Sequence, residues 1–149
     1  MGKLAERLSD PTRSGVYRIE TCEAIEEAAA LNSFALVRVT LDRVATETAL
    51  VDIVARSAAF PARFGKDRES FASALIDLSW TPAPGHVFLV SGFRGLQRAA
   101  PEYFAGFIEV LKDAAANWRG RGKSFFVAFV DPGDHTSLAP LYHWRKRGD

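Results

Sequence analysis

A chain of 149 residues suits one domain and leaves little room for two. Its composition, 48% hydrophobic and 25% charged, argues against disorder, and a net charge of +1 gives neither the basic field of a general nucleic-acid binder nor a strongly acidic surface. The single cysteine, Cys22, allows no internal disulfide and fits a reducing cytoplasm.

Residues 1–14 are polar, contain Asp10-Pro11, and read as a flexible N-terminal segment without a run of signal-peptide length. Met1-Gly2 would suit myristoylation, but Glu6 stands where that signal wants Ser or Thr. No stretch approaches the length of a membrane span. Abundant alanine, and arginine in preference to lysine, point to a GC-rich bacterial genome.

From Ser14 to Ile19 the pattern fits either a short strand or an extended lead-in. Thr21 can cap a helix that has Glu23 in its first turn and Ile25, Ala28 and Ala29 on its apolar side; Asn32-Ser33 ends it. Ala35 to Leu41 alternates, with Val37, Val39 and Leu41 facing one way and Leu36, Arg38 and Thr40 the other, which is strand periodicity. Thr46 caps a second helix carrying Leu50, Ile53 and Val54 at helical spacing, and Pro61 requires it to stop near Phe60. Asp67 to Leu78 reads as a third helix. His86–Val90 and Ser124–Val130 are apolar runs that suit strands covered on both faces. Between them Pro101 opens the clearest helix, with Phe104, Phe107, Ile108, Leu111, Ala115 and Trp118 on one face and Gly120 as its stop. This order predicts an α/β domain over residues 15–131, with a three-stranded parallel sheet flanked by helices. Residues 132–149 follow as a basic, aromatic C-terminal tail, ending Tyr142-His143-Trp144-Arg145-Lys146-Arg147.

The most unusual local sequence is Phe60-Pro61-Ala62-Arg63-Phe64-Gly65-Lys66-Asp67-Arg68-Glu69-Ser70-Phe71, a tight loop running into a helix. At about 100° per residue, Phe71, Ala74, Leu75 and Leu78 gather on a core face. Glu69, Ser73 and Ile76 gather opposite, with Ala72 beside them. An apolar centre with a polar edge is the anatomy of a protein interface, although one exposed isoleucine is also ordinary on a surface.

Pro61, Phe64, Gly65 and Leu75, then Trp80, resemble the barstar-like ribonuclease inhibitors, whose loop and helix read approximately Pro-x-x-Phe/Tyr-Gly-x-Asn-x-Asp-Ala-Leu-x-Asp-x-Leu before a tryptophan. The order of strands and helices extends the likeness from about Ala35 to Asp131, and Asp77-Leu78-Ser79-Trp80 followed by Pro82, Pro84 and Gly85 is similar to a bacterial branch. The resemblance implies a protein-binding role: occlusion of a partner, a ribonuclease or another toxin, through residues 61–80. It places the interface on Arg63, Phe64, Asp67, Glu69, Ala72, Ser73 and Ile76, and implies no catalysis, cofactor or metal. Glu69 takes the first helix carboxylate, but Ser73 stands where the second would be, Arg63 where an aromatic would be, and Asp67 where the asparagine would be. Glu102 is a loosely aligned candidate for a further acidic position. From Pro61 to Trp80, Arg63, Lys66 and Arg68 balance Asp67, Glu69 and Asp77, three against three. A free Arg63 would repel a basic active site, so the expected partner is different from, or less basic than, the family's usual target.

Other constellations weigh little. Ser79, His86 and Asp77 lack a nucleophile elbow. His135 and His143 with Asp131 and Asp134 match no closed zinc spacing. Gly120-Arg121-Gly122-Lys123 follows a helix, the reverse of a phosphate loop, and Gly92 to Gly95 reads as a turn. Cys22 near a helix start reads as structural, and Trp80 as either a partner anchor or part of the core. The basic, aromatic C-terminal segment supports an alternative class, an RNA-binding accessory protein; the near-neutral charge argues against nucleic acid as the main partner.

Overall fold

β3 (Gly85–Ser91) and β4 (Ser124–Val130) are buried along nearly their whole length and form the middle of the sheet. Runs apolar on both faces require cover on both, and alternate side chains feed two separate cores. The structure, a computed structural model, describes residues 3–65 and 67–142.

The sheet is parallel throughout, in the order β1-β4-β3-β2. It therefore has four strands where the sequence predicts three. The additional strand is β1 (Gly15–Ile19), whose Gly15 to Ile19 register against Phe126 to Val130. Five residues that include Tyr17 and Arg18 show too weak an alternation to separate a strand from an extended lead-in. β2 (Ala35–Thr40) forms the opposite edge, with Val37 and Val39 buried and Arg38 and Thr40 exposed as its alternation requires.

One core contains Val37, Val39, Phe88, Val90, Phe125, Val127 and Phe129 from the sheet. Over it lie α3 (Glu47–Ser57), α4 (Arg68–Asp77), α5 (Arg94–Ala99) and α6 (Pro101–Gly120). Phe129 meets Phe93, Phe104 and Phe107 edge-on, at centroid distances of 5.6, 5.9 and 6.3 Å. Such geometry brings the positive ring edge to the negative face. Thr46 caps α3 by accepting from the Ala49 amide at 3.2 Å. The short α5 follows Gly92 and contains Gly95, so the sequence shows only a turn there.

The second core holds Val87, Leu89, Phe126 and Ala128 against α1 (Lys3–Leu8) and α2 (Glu23–Leu31). The N-terminal residues expected to be flexible thus include a helix whose Leu4, Ala5 and Leu8 are buried. Asn32 fastens it by donating to the Ala5 carbonyl at 2.9 Å. The N-cap of α2 is Cys22 rather than Thr21, and it makes no side-chain capping bond; its side chain is half-buried at the border of this core.

Part of the expected tail is also packed. Residues 139–141 run along β1, with the Arg18 amide donating to Ala139 and the Leu141 amide donating to Arg18, both at 3.0 Å. Leu141 is buried in the second core and Leu138 in the first. The remainder of the basic, aromatic segment, residues 143–149, lies outside the described residues.

Candidate functional site

The loop from Pro61 to Gly65 is built on aromatic rings. Phe60, Phe64 and Trp80 contact one another with centroids 5.5 to 6.4 Å apart, and Phe60 also reaches Phe71 in α4. Trp80 is half-buried against the first core and donates from Nε1 to the Ala58 carbonyl at 2.9 Å. It thus ties the segment after α4 to the segment after α3.

Asp67 starts α4. Its Oδ1 accepts from the Ser70 amide at 2.7 Å and its Oδ2 accepts from the Ser70 hydroxyl at 3.2 Å. These bonds hold the Asp67 carboxyl below its ordinary pKa. α4 ends on Leu78, which adopts φ of 49° and donates its amide to Ala74. A left-handed residue closes the last turn, here without the usual glycine. Phe71, Ala74, Leu75 and Leu78 are buried, as the helical spacing requires.

The opposite face of α4 borders a groove of about 290 Å³ shared with α6. Glu69, Ala72, Ser73 and Ile76 line one side; Val110, Asp113, Ala114 and Asn117 line the other. Four of the interface residues expected from the sequence therefore share one concave surface, and Glu69 and Ser73 are exposed on it. Sequence reasoning missed the contribution of α6, because helical spacing gives the faces of each helix separately and not which faces meet. Glu102 lies in the exposed first turn of α6 and does not line the groove.

Two contacts hold the helices in this relation. Trp118 Nε1 donates to the Leu75 carbonyl at 2.9 Å, and Arg121 donates to the Ile76 carbonyl while stacking 3.9 Å from the Trp118 ring centroid. At the other end, Arg68 Nη2 lies 3.5 Å from Glu47 Oε2 and its guanidinium sits 5.8 Å from the Tyr103 ring centroid. Burial, then the neighbouring Glu47 charge, push the Tyr103 hydroxyl up to about 12.

Arg63 is not the free cation that the sequence suggests. Its Nη2 lies 3.1 Å from Asp77 Oδ2, and its guanidinium carbon lies 4.8 Å from the centroid of Phe64 and 5.8 Å from that of Trp80. Hydrogen bonding from Ser79 first, and the Arg63 bond after it, keep the Asp77 carboxyl below its ordinary pKa, against the opposing effect of desolvation. An exposed pair of this kind contributes little to stability, but it fixes the position of a long side chain. It also offsets much of the repulsion that an isolated arginine would exert.

The remaining candidate chemistry does not assemble. His86 is buried at the start of β3, with Nε2 2.9 Å from the Thr81 carbonyl, and its ring packs near Trp118. Ser79 meets Asp77 through its backbone amide, at 3.3 Å, and forms no triad with His86. Asp131 is buried and accepts from the His135 and Thr136 amides and the Thr136 hydroxyl, each at 2.8 Å. Its carboxylate therefore organises a turn, and among the described residues no cluster of three metal-ligating side chains exists. His143 lies outside the described residues. No described helix is long and apolar enough to cross a membrane.

The arrangement joins an aromatic loop, a capped helix and a groove with carboxylates on both walls. A family model described as Barstar (barnase inhibitor) matches residues 34–130. A search of curated proteins finds no match.

Proposed function

Because the chain belongs to the barstar family, we propose that it is a non-catalytic inhibitor or regulator that binds a partner protein, a ribonuclease or another toxin, in the cytoplasm. The contact surface is the loop and helix at 61–80, joined by the facing wall of α6. The observation that carries this reading is the groove between α4 and α6, with Glu69, Ala72, Ser73 and Ile76 on one side. Its floor is apolar and its rim polar, the distribution found in protein interfaces. Arg63, Phe64 and Asp67 extend the surface along the loop. Binding there places a rigid helix across the partner's active site and excludes substrate sterically.

The partner differs from the family's usual target. Ser73 supplies no charge where the resemblance calls for a carboxylate, and a neutral Arg63–Asp77 pair replaces the loop aromatic. Close charge pairs at such interfaces are worth several kcal/mol, roughly 1.5–7 in measured cases. Losing one carboxylate therefore changes which partner is held.

The test is capture from an extract of the source cells by the immobilised chain, alongside Glu69→Lys and Ile76→Asp. A retained protein that both variants lose, and whose ribonuclease or toxic activity the wild-type chain blocks, supports the reading. Unchanged capture by both variants removes α4 as the contact. Nanomolar inhibition of barnase by the wild-type chain would overturn the altered specificity.

A further inference from the structure

A second concavity lies at the other end of α4. Its volume is about 180 Å³, and it opens between the α4–β3 connection and the last turn of α6. Ser79, Pro82 and Pro84 form one side; Trp118 and Lys123 form the other; Asp77 stands at the α4 end. Its lining pairs one carboxylate, Asp77, with one cation, Lys123, and further cations lie beside it, whereas the only charged groups lining the groove are carboxylates. Lys123 is exposed and makes no ion pair among the described residues. Arg121 lies flat on Trp118, and Arg63 offsets the charge of Asp77. Three cationic side chains thus surround the C-terminal end of α4, while Glu69 and Asp113 line the groove further along the same helix.

We propose that this concavity is a subsite for an acidic side chain of the partner protein, with the carboxylate held by Lys123 and the aliphatic stem lying against Trp118 and the prolines. The inference rests on the protein-binding reading above and adds the partner's chemistry: a cationic group for the Glu69 and Asp113 end and an anionic group for the Lys123 end. Three features favour a carboxylate as the occupant. The unpaired charge is positive. Lys123 carries three donors and no acceptor. The Trp118 wall is already fixed by its bond to Leu75, and the neighbouring Arg121 and Arg63 are held by Ile76 and Asp77, so binding orders few side chains. A partner of mixed polarity would also be held in one register, because reversing it would bring like charges together at both ends.

The experiment needs no knowledge of the partner. The probe is glutamate capped as its N-acetyl N-methylamide, titrated into the isotopically labelled chain, with the capped glutamine as the uncharged control. The Trp118 indole N–H and the Ser79 amide are followed by NMR. The glutamate probe should shift both resonances saturably, with a Kd of about millimolar order for a single side chain. The glutamine probe should bind at least about tenfold more weakly, and high salt should weaken the glutamate probe alone. Lys123→Gln should abolish the shifts, Lys123→Arg should retain them, and Glu69→Gln should leave them unchanged. Equal shifts from both probes, no saturation, or full binding by Lys123→Gln would each overturn the subsite. Such a failure leaves the capture result with Glu69→Lys and Ile76→Asp standing. Unchanged capture by both variants, with the glutamate probe still bound, would instead refute the placement of the interface on α4.

Discussion

Trp118 donates its indole N–H to the carbonyl oxygen of Leu75 at 2.9 Å, joining the last turns of α6 and α4. That carbonyl belongs to the end of a helix, where acceptors lack partners within the helix itself. The Trp118 ring stacks on Phe125 of the central strand β4, with an interplanar angle of 3°, so α4 is referenced to the sheet through one side chain. Trp118→Phe keeps an aromatic ring and removes the donor. It should cost about 1–3 kcal/mol, the range for leaving a buried acceptor unsatisfied. Urea unfolding would read this, and an unchanged midpoint would show that the bond adds nothing net.

His86 predicts a pH dependence. Burial lowers its pKa below the ordinary value of 6.5, against the opposing effect of the Thr81 carbonyl, so folding favours the neutral ring. The unfolded chain then binds the proton more readily. Stability from this residue is fully present above pH 6.5 and is lost as the pH falls below it toward the folded-state pKa. Urea midpoints measured between pH 8 and pH 5 should decline through that window. His86→Gln should flatten this part of the curve.

The Asp67 cap acts in a more acidic window. Its carboxyl is held below the ordinary value of 3.8, chiefly by the Ser70 amide. Its contribution is present above 3.8 and disappears as the pH falls through the lower folded-state pKa. Asp67→Asn can still cap the helix but removes the charge that favours the helix N-terminus. The variant should therefore be less stable at neutral pH, with the difference vanishing in strong acid. A difference independent of pH would assign the effect to packing and not to charge.

Residues 34–130, the part matched by the family model, should not be self-sufficient. Cut to that length, the chain loses α1, β1, α2 and the 138–142 segment, and bares Val87, Leu89, Phe126 and Ala128. A contiguous apolar face of this kind drives association. The fragment should self-associate in gel filtration and bind a hydrophobic dye, whereas residues 3–142 should remain monodisperse. A monomeric fragment that unfolds cooperatively would show that the second core is dispensable.

What was legible in the sequence follows from periodicity and caps. The start of α6 could be read because Pro101 suits a first turn; its cap falls on Arg121 and not on Gly120, with Gly122 taking the left-handed conformation. The start of α4 could be read because an aspartate precedes a helical pattern. β3 and β4 announced themselves as continuous apolar runs, and those runs already implied cover on both faces. Of the second cover, α2 was read from Ile25, Ala28 and Ala29, whereas α1, only six residues long, and the edge strand β1, only five, are too short for a period to declare itself. At the site, the outward residues of α4 were correctly grouped. Asp113 and Asn117 went unseen because their role depends on how two distant helices meet. Arg63 was assigned the wrong electrostatic environment because its partner, Asp77, lies a full helix away in sequence.

The separation of the two cores also bears on how such a protein can be handled and how it can change. α1 and α2 lie on one layer of the sandwich and α4 and α6 on the other, with the sheet between them. A tag, a surface anchor or a fused domain joined ahead of Lys3 attaches to the layer opposite α4 and its groove. Substitutions in that N-terminal layer are separated from the α4–α6 groove by the thickness of a sheet, so the two sides can drift, or be engineered, on separate schedules.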